Sequence, residues 1–206
     1  MINNSKIRLV LFDIGGVVIE WQDSWLYHQV AQKYGIDENK LSKECETEIP
    51  RLHSGEIQES EFWKTIGKKI NSEEIMSINR SFFYEIFKKE IKLNHEVLSL
   101  VKKIKKKGFK VGVLSNLEKS TNLVLNELGM FEDFEFQFLS HRIGFAKPNK
   151  RIFEYVLKKI PFKKNEIIFI DDKPQNVKAA ITLGINAIQY SNVKQLHHDL
   201  CQIDVL

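Results

Sequence analysis

"VLFDIGGVVIEW", residues 10–21, is the stretch on which the reading of this chain turns. An apolar run breaks at one carboxylate, Asp13, and Gly15 and Gly16 follow almost at once. Burying a charge is costly, so an Asp at the mouth of a buried strand asks for a partner. A chain that leaves the strand and turns tightly calls for positive φ or close backbone approach, which glycine allows.

Working outward, four more β-rich runs join residues 6–12: 109–114, 134–138, 166–170 and 185–189. Several are apolar almost throughout, as strands covered on both faces should be. Helical patterns lie between them. Residues 94–107 place Val97, Leu100, Val101 and Ile104 on one face, with Asn94 as N-cap and Gly108 as stop. Residues 147–161 carry a similar stripe ending at Pro161, and 174–184 one ending at Gly184. Alternation of this kind predicts an α/β fold with a mostly parallel, doubly wound, five-stranded sheet. Residues 20–92 break the pattern, reading as helix after helix, the last over 72–87, with no strand run. The expectation is a core domain of residues 1–19 and 93–206, with residues 20–92 an inserted α-helical domain.

Composition narrows the class. The 206 residues are 43% hydrophobic and 28% charged, enough for a substantial core. The net charge of +4 is only mildly basic and does not imply a nucleic-acid partner. The lysines of 102–110 flank an apolar stripe near a helix C-terminus, where cations complement the dipole. Cys45 and Cys201, without CxxC spacing, argue against a disulfide framework or thiolate zinc site. The adjacent His197 and His198 would diverge on a helix and make a poor metal pair. No signal-peptide pattern or membrane-spanning run is apparent, so a cytoplasmic protein is expected.

In an open α/β sheet, ligands bind outside the carboxyl ends of the strands. Asp13 follows the first run, Ser115 and Asn116 the second, and Asp171 and Asp172 the fourth. Lys147 lies beyond the third, in a loop entering a helix. Clustered carboxylates repel and need a cation, and oxygen-only ligands suit Mg²⁺. A lysine and a hydroxyl beside that ion make a receptor for an anion such as phosphate. A carboxylate held there can act as a nucleophile.

At these residues the chain resembles the haloacid dehalogenase superfamily, in its phosphatase branch with a helical cap after the first strand. The motifs are "FDIGGVV" (12–18), "LSN" (114–116), "GFAKPNKRIF" (144–153) and "IDDKPQNVKAAITLG" (170–184). The chain looks closest to the group containing the phosphatase-like N-terminal domain of soluble epoxide hydrolases and small sugar-phosphate phosphatases. The resemblance implies a Rossmann-like core and Mg²⁺-dependent hydrolysis of a small phosphorylated metabolite through an aspartyl-phosphate. It implies Asp13 as nucleophile and metal ligand, with Ser115 and the Asn116 backbone as phosphoryl-binding groups. Lys147 would hold phosphoryl oxygens and offset charge. Asp172 would bind Mg²⁺ directly, with Asp171 adjacent and Asn176 steadying the loop.

One position departs from the family. Its motif is Asp-x-Asp, the second Asp being the general acid/base, and here that place is Gly15. The family's metal contact there is a backbone carbonyl, which Gly15 retains. The side chain's proton transfer, typically worth roughly 10²–10⁴ in rate, is lost. Sequence proximity offers Glu20, Asp23 and His141 as replacements; the alternative is a substrate with a good leaving group. Two other readings use the same residues. A 2-haloacid dehalogenase also lacks the second Asp, but it needs no metal and would not keep the Asp171–Asp172 pair. A non-catalytic phosphate-ligand binding or regulatory protein could keep the site without turnover. Of the aromatics in 20–92, Trp21 and Trp25 are nearest the pocket, and the others read as core.

Overall fold

The computed structural model describes residues 7–206. Lys6, the first residue of the opening strand run, lies outside them. Five parallel strands form the central sheet in the order β5-β4-β1-β6-β7: β1 Leu9–Phe12, β4 Lys110–Ser115, β5 Phe136–Leu139, β6 Ile167–Asp171 and β7 Asn186–Gln189. The two remaining strands, β2 Ile19–Glu20 and β3 Lys92–Leu93, pair antiparallel where the chain leaves and re-enters this layer. They are two residues each and sit at the ends of the helical stretch, too short to register as a run.

Successive side chains of β1 point to opposite faces of the sheet, as pleating requires. Val10 and Phe12 join one core with Val111, Val113, Ile168 and Ile170. That face is covered by α6 (His95–Lys106), α7 (Lys119–Glu127) and α11 (Val193–Gln202). Leu9 and Leu11 join the opposite core with Leu114, Ile167 and Phe169, under α9 (Lys150–Lys159) and α10 (Pro174–Thr182). The sheet is doubly wound, as expected.

Helix limits follow local chemistry. Asn94 caps α6, its side-chain oxygen accepting from the Val97 N–H at 3.2 Å. The stretch 147–161 becomes helical only at α9, because Asn149 caps it and the Lys147 backbone is held elsewhere. The short α8 (Ser140–Ile143) and the longer α7 and α11 were not separated by the sequence pattern.

Residues 23–90 fold as α1 (Asp23–Tyr34), α2 (Glu38–His53), α3 (Glu59–Ile70), α4 (Glu73–Met76) and α5 (Phe82–Glu90). The sequence suggested one helical stretch over 72–87. Ser72 and Ser81 instead each cap a separate helix, accepting from the N–H groups of Ile75 and Tyr84. These helices gather round their own core, in which Phe62 meets Trp63 and Phe83 at ring separations of 5.0 and 5.7 Å.

Side-chain contacts tie the helical stretch to the sheet's helices, among them His53 Nε2 with Glu118 Oε2 at 3.6 Å. The buried Ser140 hydroxyl donates to the His53 carbonyl at 2.5 Å. Glu59 accepts from the Ser120 hydroxyl at 2.8 Å. Tyr84 and Lys88 both meet Glu127.

Trp63 is fully buried at the centre of the helical core. Trp63→Ala is expected to cost about 3–5 kcal/mol, measured as the loss of unfolding free energy in a urea titration.

Candidate active site

The register of the sheet builds the site. Phe12 stands level with Val113 on one neighbour and Ile170 on the other, so the strands end together. The next residues, Asp13 and Asp171, therefore emerge side by side, with Ser115 one step further along β4. Ser115 and Asp171 are the last residues of their strands rather than loop residues.

Asp13 is nearly buried, and its Oδ1 accepts three hydrogen-bond donors. They are the Ile14 N–H at 2.7 Å, the Ser115 hydroxyl at 2.7 Å and the Lys147 ammonium at 2.9 Å. The other oxygen, Oδ2, takes no hydrogen bond among the described residues. Lys147 also donates to Asp171 Oδ2 at 2.6 Å and to the Leu114 carbonyl at 2.9 Å. An ammonium has three protons, and all three are engaged. Asn116 clamps this lysine reciprocally: its side-chain oxygen accepts the Lys147 N–H at 2.7 Å and its NH₂ donates to the Lys147 carbonyl at 2.8 Å. Asp171 is further held by the Lys173 N–H at 2.8 Å and the Asn176 amide at 3.0 Å. Asn176 thus steadies the loop.

Burial and the shared Lys147 ammonium dominate the electrostatics. Desolvation pushes Asp13 up to about 7, helped by Asp171 and opposed by Lys147 and Ser115. Asp171 is equally enclosed, yet Lys147 and its other donors hold it below the usual carboxylate range. For Lys147, burial works against the ammonium, but the two carboxylates outweigh it and raise its pKa. Burial and Asp171 together raise Asp172.

Asp172 is less constrained. Its Oδ1 is buried with no hydrogen-bond partner among the described residues. Gly16, at φ +78°, passes so close that a Cβ there would stand 2.5 Å from Asp172 Oδ2. Carboxylate oxygens of Asp13, Asp171 and Asp172 lie within 4.8 Å of one another. An orphaned buried oxygen, three converging carboxylates and a glycine cradle fit a hard divalent cation such as Mg²⁺. Gly15 lines the same mouth, and its carbonyl takes no part in the hydrogen bonds of the local backbone bridge.

Above these groups opens a cleft of about 550 Å³, shared by sheet ends and helical stretch. Asp13, Gly15, Asn116, Lys147, Asp172 and Asn176 line its floor. Asp23, Glu46 and His53 come from α1 and α2, and Trp21 lines it as expected. Of the three proposed replacements for the missing acid, only Asp23 lies there. Glu20 is exposed on β2, and the His141 ring bonds the Leu117 carbonyl at 3.0 Å. Trp25 lies outside the lining, against Trp21 at 5.9 Å. Proximity along the chain misled here because β2 turns away from the sheet edge. Conversely, nothing local in the α2 sequence marked His53 as a cleft residue.

A family model for haloacid dehalogenase-like hydrolases matches residues 7–184. Among curated proteins, the chain is 26% identical to D-ribitol-5-phosphate phosphatase of Bacteroides thetaiotaomicron, over 96% of this chain and 98% of that protein. It is 24% identical to bifunctional epoxide hydrolase 2 of Mus musculus, over 94% of this chain but 38% of that protein. The chain thus spans little more than a third of the length of such longer relatives. A solved haloacid dehalogenase family enzyme from Bacteroides thetaiotaomicron, in magnesium complex, superimposes with a TM-score of 0.75. That match is at 23% identity, over 91% of this chain and 94% of the other. With the motifs at one sheet edge and the family match covering residues 7–184, the chain belongs to the haloacid dehalogenase-like hydrolases.

Proposed function

We propose that this hydrolase is a Mg²⁺-dependent phosphatase acting on a small phosphorylated, polyhydroxylated metabolite. The observation that carries the reading is the single buried network joining Asp13, Ser115, Lys147 and Asp171, with the unpartnered Asp172 oxygen beside it. The curated relative named for ribitol phosphate supports the choice of a phosphate ester. Carboxylate and amide side chains of Asp23, Glu46, Gln22 and Gln175 along the cleft suit a substrate rich in hydroxyls.

In this reading Asp13 is the nucleophile. Three donors on Oδ1 fix the carboxylate, so a phosphorus atom in the cleft meets a preorganised attacking group. The phosphoryl group moves to Asp13, and water then hydrolyses the aspartyl-phosphate. Ser115 and the Asn116 backbone receive the phosphoryl oxygens. Lys147 supplies adjacent positive charge and exchanges its bond to Asp13 for one to the phosphoryl group once Asp13 is esterified. Asp13, the Gly15 carbonyl and Asp172 would hold Mg²⁺, with Asp171 beside it. The ion's chemistry is Lewis-acid neutralisation of phosphoryl charge. Residues 20–92 act as the lid domain over a core of 1–19 and 93–206, with β2 and β3 as the stem between them.

Two measurements test this. On a panel of phosphate monoesters, Mg²⁺ should be required for turnover, and Asp13→Asn should reduce kcat by about 10³-fold or more. Equal activity in Asp13→Asn would remove the nucleophile and the mechanism with it. The second is thermal. Asp13 and Glu118, each raised to about 7 in the folded chain, bind protons more tightly there than when unfolded. Their contribution to stability is therefore lost as pH rises toward that value. The metal-free protein should melt lower at about pH 8 than at about pH 5, and Mg²⁺ should raise Tm more at the higher pH, where protons no longer compete for Asp13. A Mg²⁺ effect independent of pH would contradict the proposed ligand set.

A further inference from the structure

Breaking a phosphate ester leaves an oxygen that needs a proton, and the attacking water must later lose one. Gly15 has no side chain to do either, and Asp13, Lys147 and Asp171 are committed to one another. On the helical side of the cleft, His53 closes α2 with its Nε2 3.6 Å from Glu118 Oε2, both side chains almost enclosed. Glu118 caps α7 with its other oxygen, which accepts the Thr121 N–H at 2.9 Å and the Thr121 hydroxyl. Its Oε2 is therefore the oxygen left for the imidazole. The second ring nitrogen of His53 has no hydrogen bond among the described residues.

The position of this histidine is set by the core. Its carbonyl accepts the Ser140 hydroxyl, which in turn accepts the Leu117 N–H at 3.0 Å. The turn after α2 lies so close to α8 that a Cβ at Gly55 would stand 2.5 Å from the His141 carbonyl oxygen. Burial lowers the His53 pKa, assisted by Lys173, Lys147 and His141 and opposed by Asp23 from α1. Burial also pushes Glu118 up to about 7. The pair is therefore built to carry one proton between its members rather than two separated charges. Tyr27 lines the same side, its buried hydroxyl without a hydrogen-bond partner among the described residues.

We propose that His53, backed by Glu118, is the catalytic residue that protonates the departing oxygen and later deprotonates the attacking water. The assignment rests on the phosphatase reading above. As an Asp13 oxygen bonds to phosphorus, the phosphorus–oxygen bond to the leaving group breaks and keeps its electron pair on that oxygen. This oxygen takes a proton from the His53 nitrogen turned away from Glu118, while Nε2 takes the proton held by Glu118. In the second step a water oxygen bonds to phosphorus and its proton passes to the imidazole, which returns one to Glu118. The phosphorus–Asp13 bond breaks, releasing phosphate and the carboxylate.

The test compares kcat/KM for p-nitrophenyl phosphate, whose phenolate leaves without a proton, and glycerol phosphate, whose alkoxide does not. H53Q should lower the alkyl ester about 10²-fold, and the aryl ester about tenfold less than that. E118Q retains the imidazole but not its proton partner. It should move the descending limb of the alkyl pH profile lower by about one unit. Equal losses on both esters in H53Q, or an unmoved limb in E118Q, would overturn the assignment. Should H53Q fail to fold by thermal melting, H53A with added imidazole asks the same question: rescue of the alkyl ester supports the role, and no rescue overturns it. The phosphatase reading fails differently, through a wild type inactive on both esters or an Asp13→Asn variant that stays active, and this assignment then falls with it.

Discussion

Everything at this sheet edge depends on one ammonium shared by two buried carboxylates. Lys147 bridges Asp13 at 2.9 Å and Asp171 at 2.6 Å with its own side chain 1% exposed. Without it, two like charges would face each other at the ends of adjacent parallel strands, largely shielded from water. Removing one member of such a buried set costs about 3–5 kcal/mol, because the remainder is left uncompensated. The lysine is accordingly over-determined: Asn116 holds its backbone on both sides, and Leu114 takes its third proton. One cation for two carboxylates, with Asp172 alongside, leaves the edge short of positive charge. That deficit gives a divalent ion its physical reason to bind here.

The glycines complete this logic. Asp172 can lie close under the turn after β1 because Gly16 has no Cβ, and its φ of +78° is one that other residues rarely adopt. Gly15 is different. A Cβ there would meet nothing within 4 Å, so packing does not demand glycine at that place. The absence of a side chain at 15 is a chemical fact about the cleft rather than a steric necessity. Proton transfer is accordingly sought from other elements.

Much of the sheet and its carboxyl-end residues was legible in the chain, because period and burial there are local signals. β-rich runs marked the five parallel strands, and a carboxylate or hydroxyl after three of them, with Lys147 beyond a fourth, marked the edge. What the sequence concealed was contact between segments far apart in number. His53 lies 65 positions from Glu118 and 87 from Ser140 by residue number, and only the docking of α2 on α8 brings them together. Glu20 and His141 illustrate the reverse error, near the motifs along the chain yet outside the cleft. The split of 72–87 into two helices was hidden for another reason. Ser72 and Ser81 read as ordinary polar residues until their hydroxyls are seen capping.

In the proposed mechanism, the same long-range contacts make proton transfer conditional on docking. Ser140, Ser120 and Glu127 on the sheet side hold His53, Glu59, Tyr84 and Lys88 on the helical side. Each contact is modest, about 0.5–1.5 kcal/mol net for a hydrogen bond, and buried Phe87 of α5 adds apolar packing into the sheet's core. Separation would move His53 away from Glu118, which belongs to the sheet side, while Asp13 and Lys147 would keep their network. Attack and proton transfer would then be housed on two bodies that complete each other only when joined. In the proposed mechanism, proton transfer to the leaving oxygen and from the attacking water would therefore proceed only while α2 stays docked and keeps His53 beside Glu118.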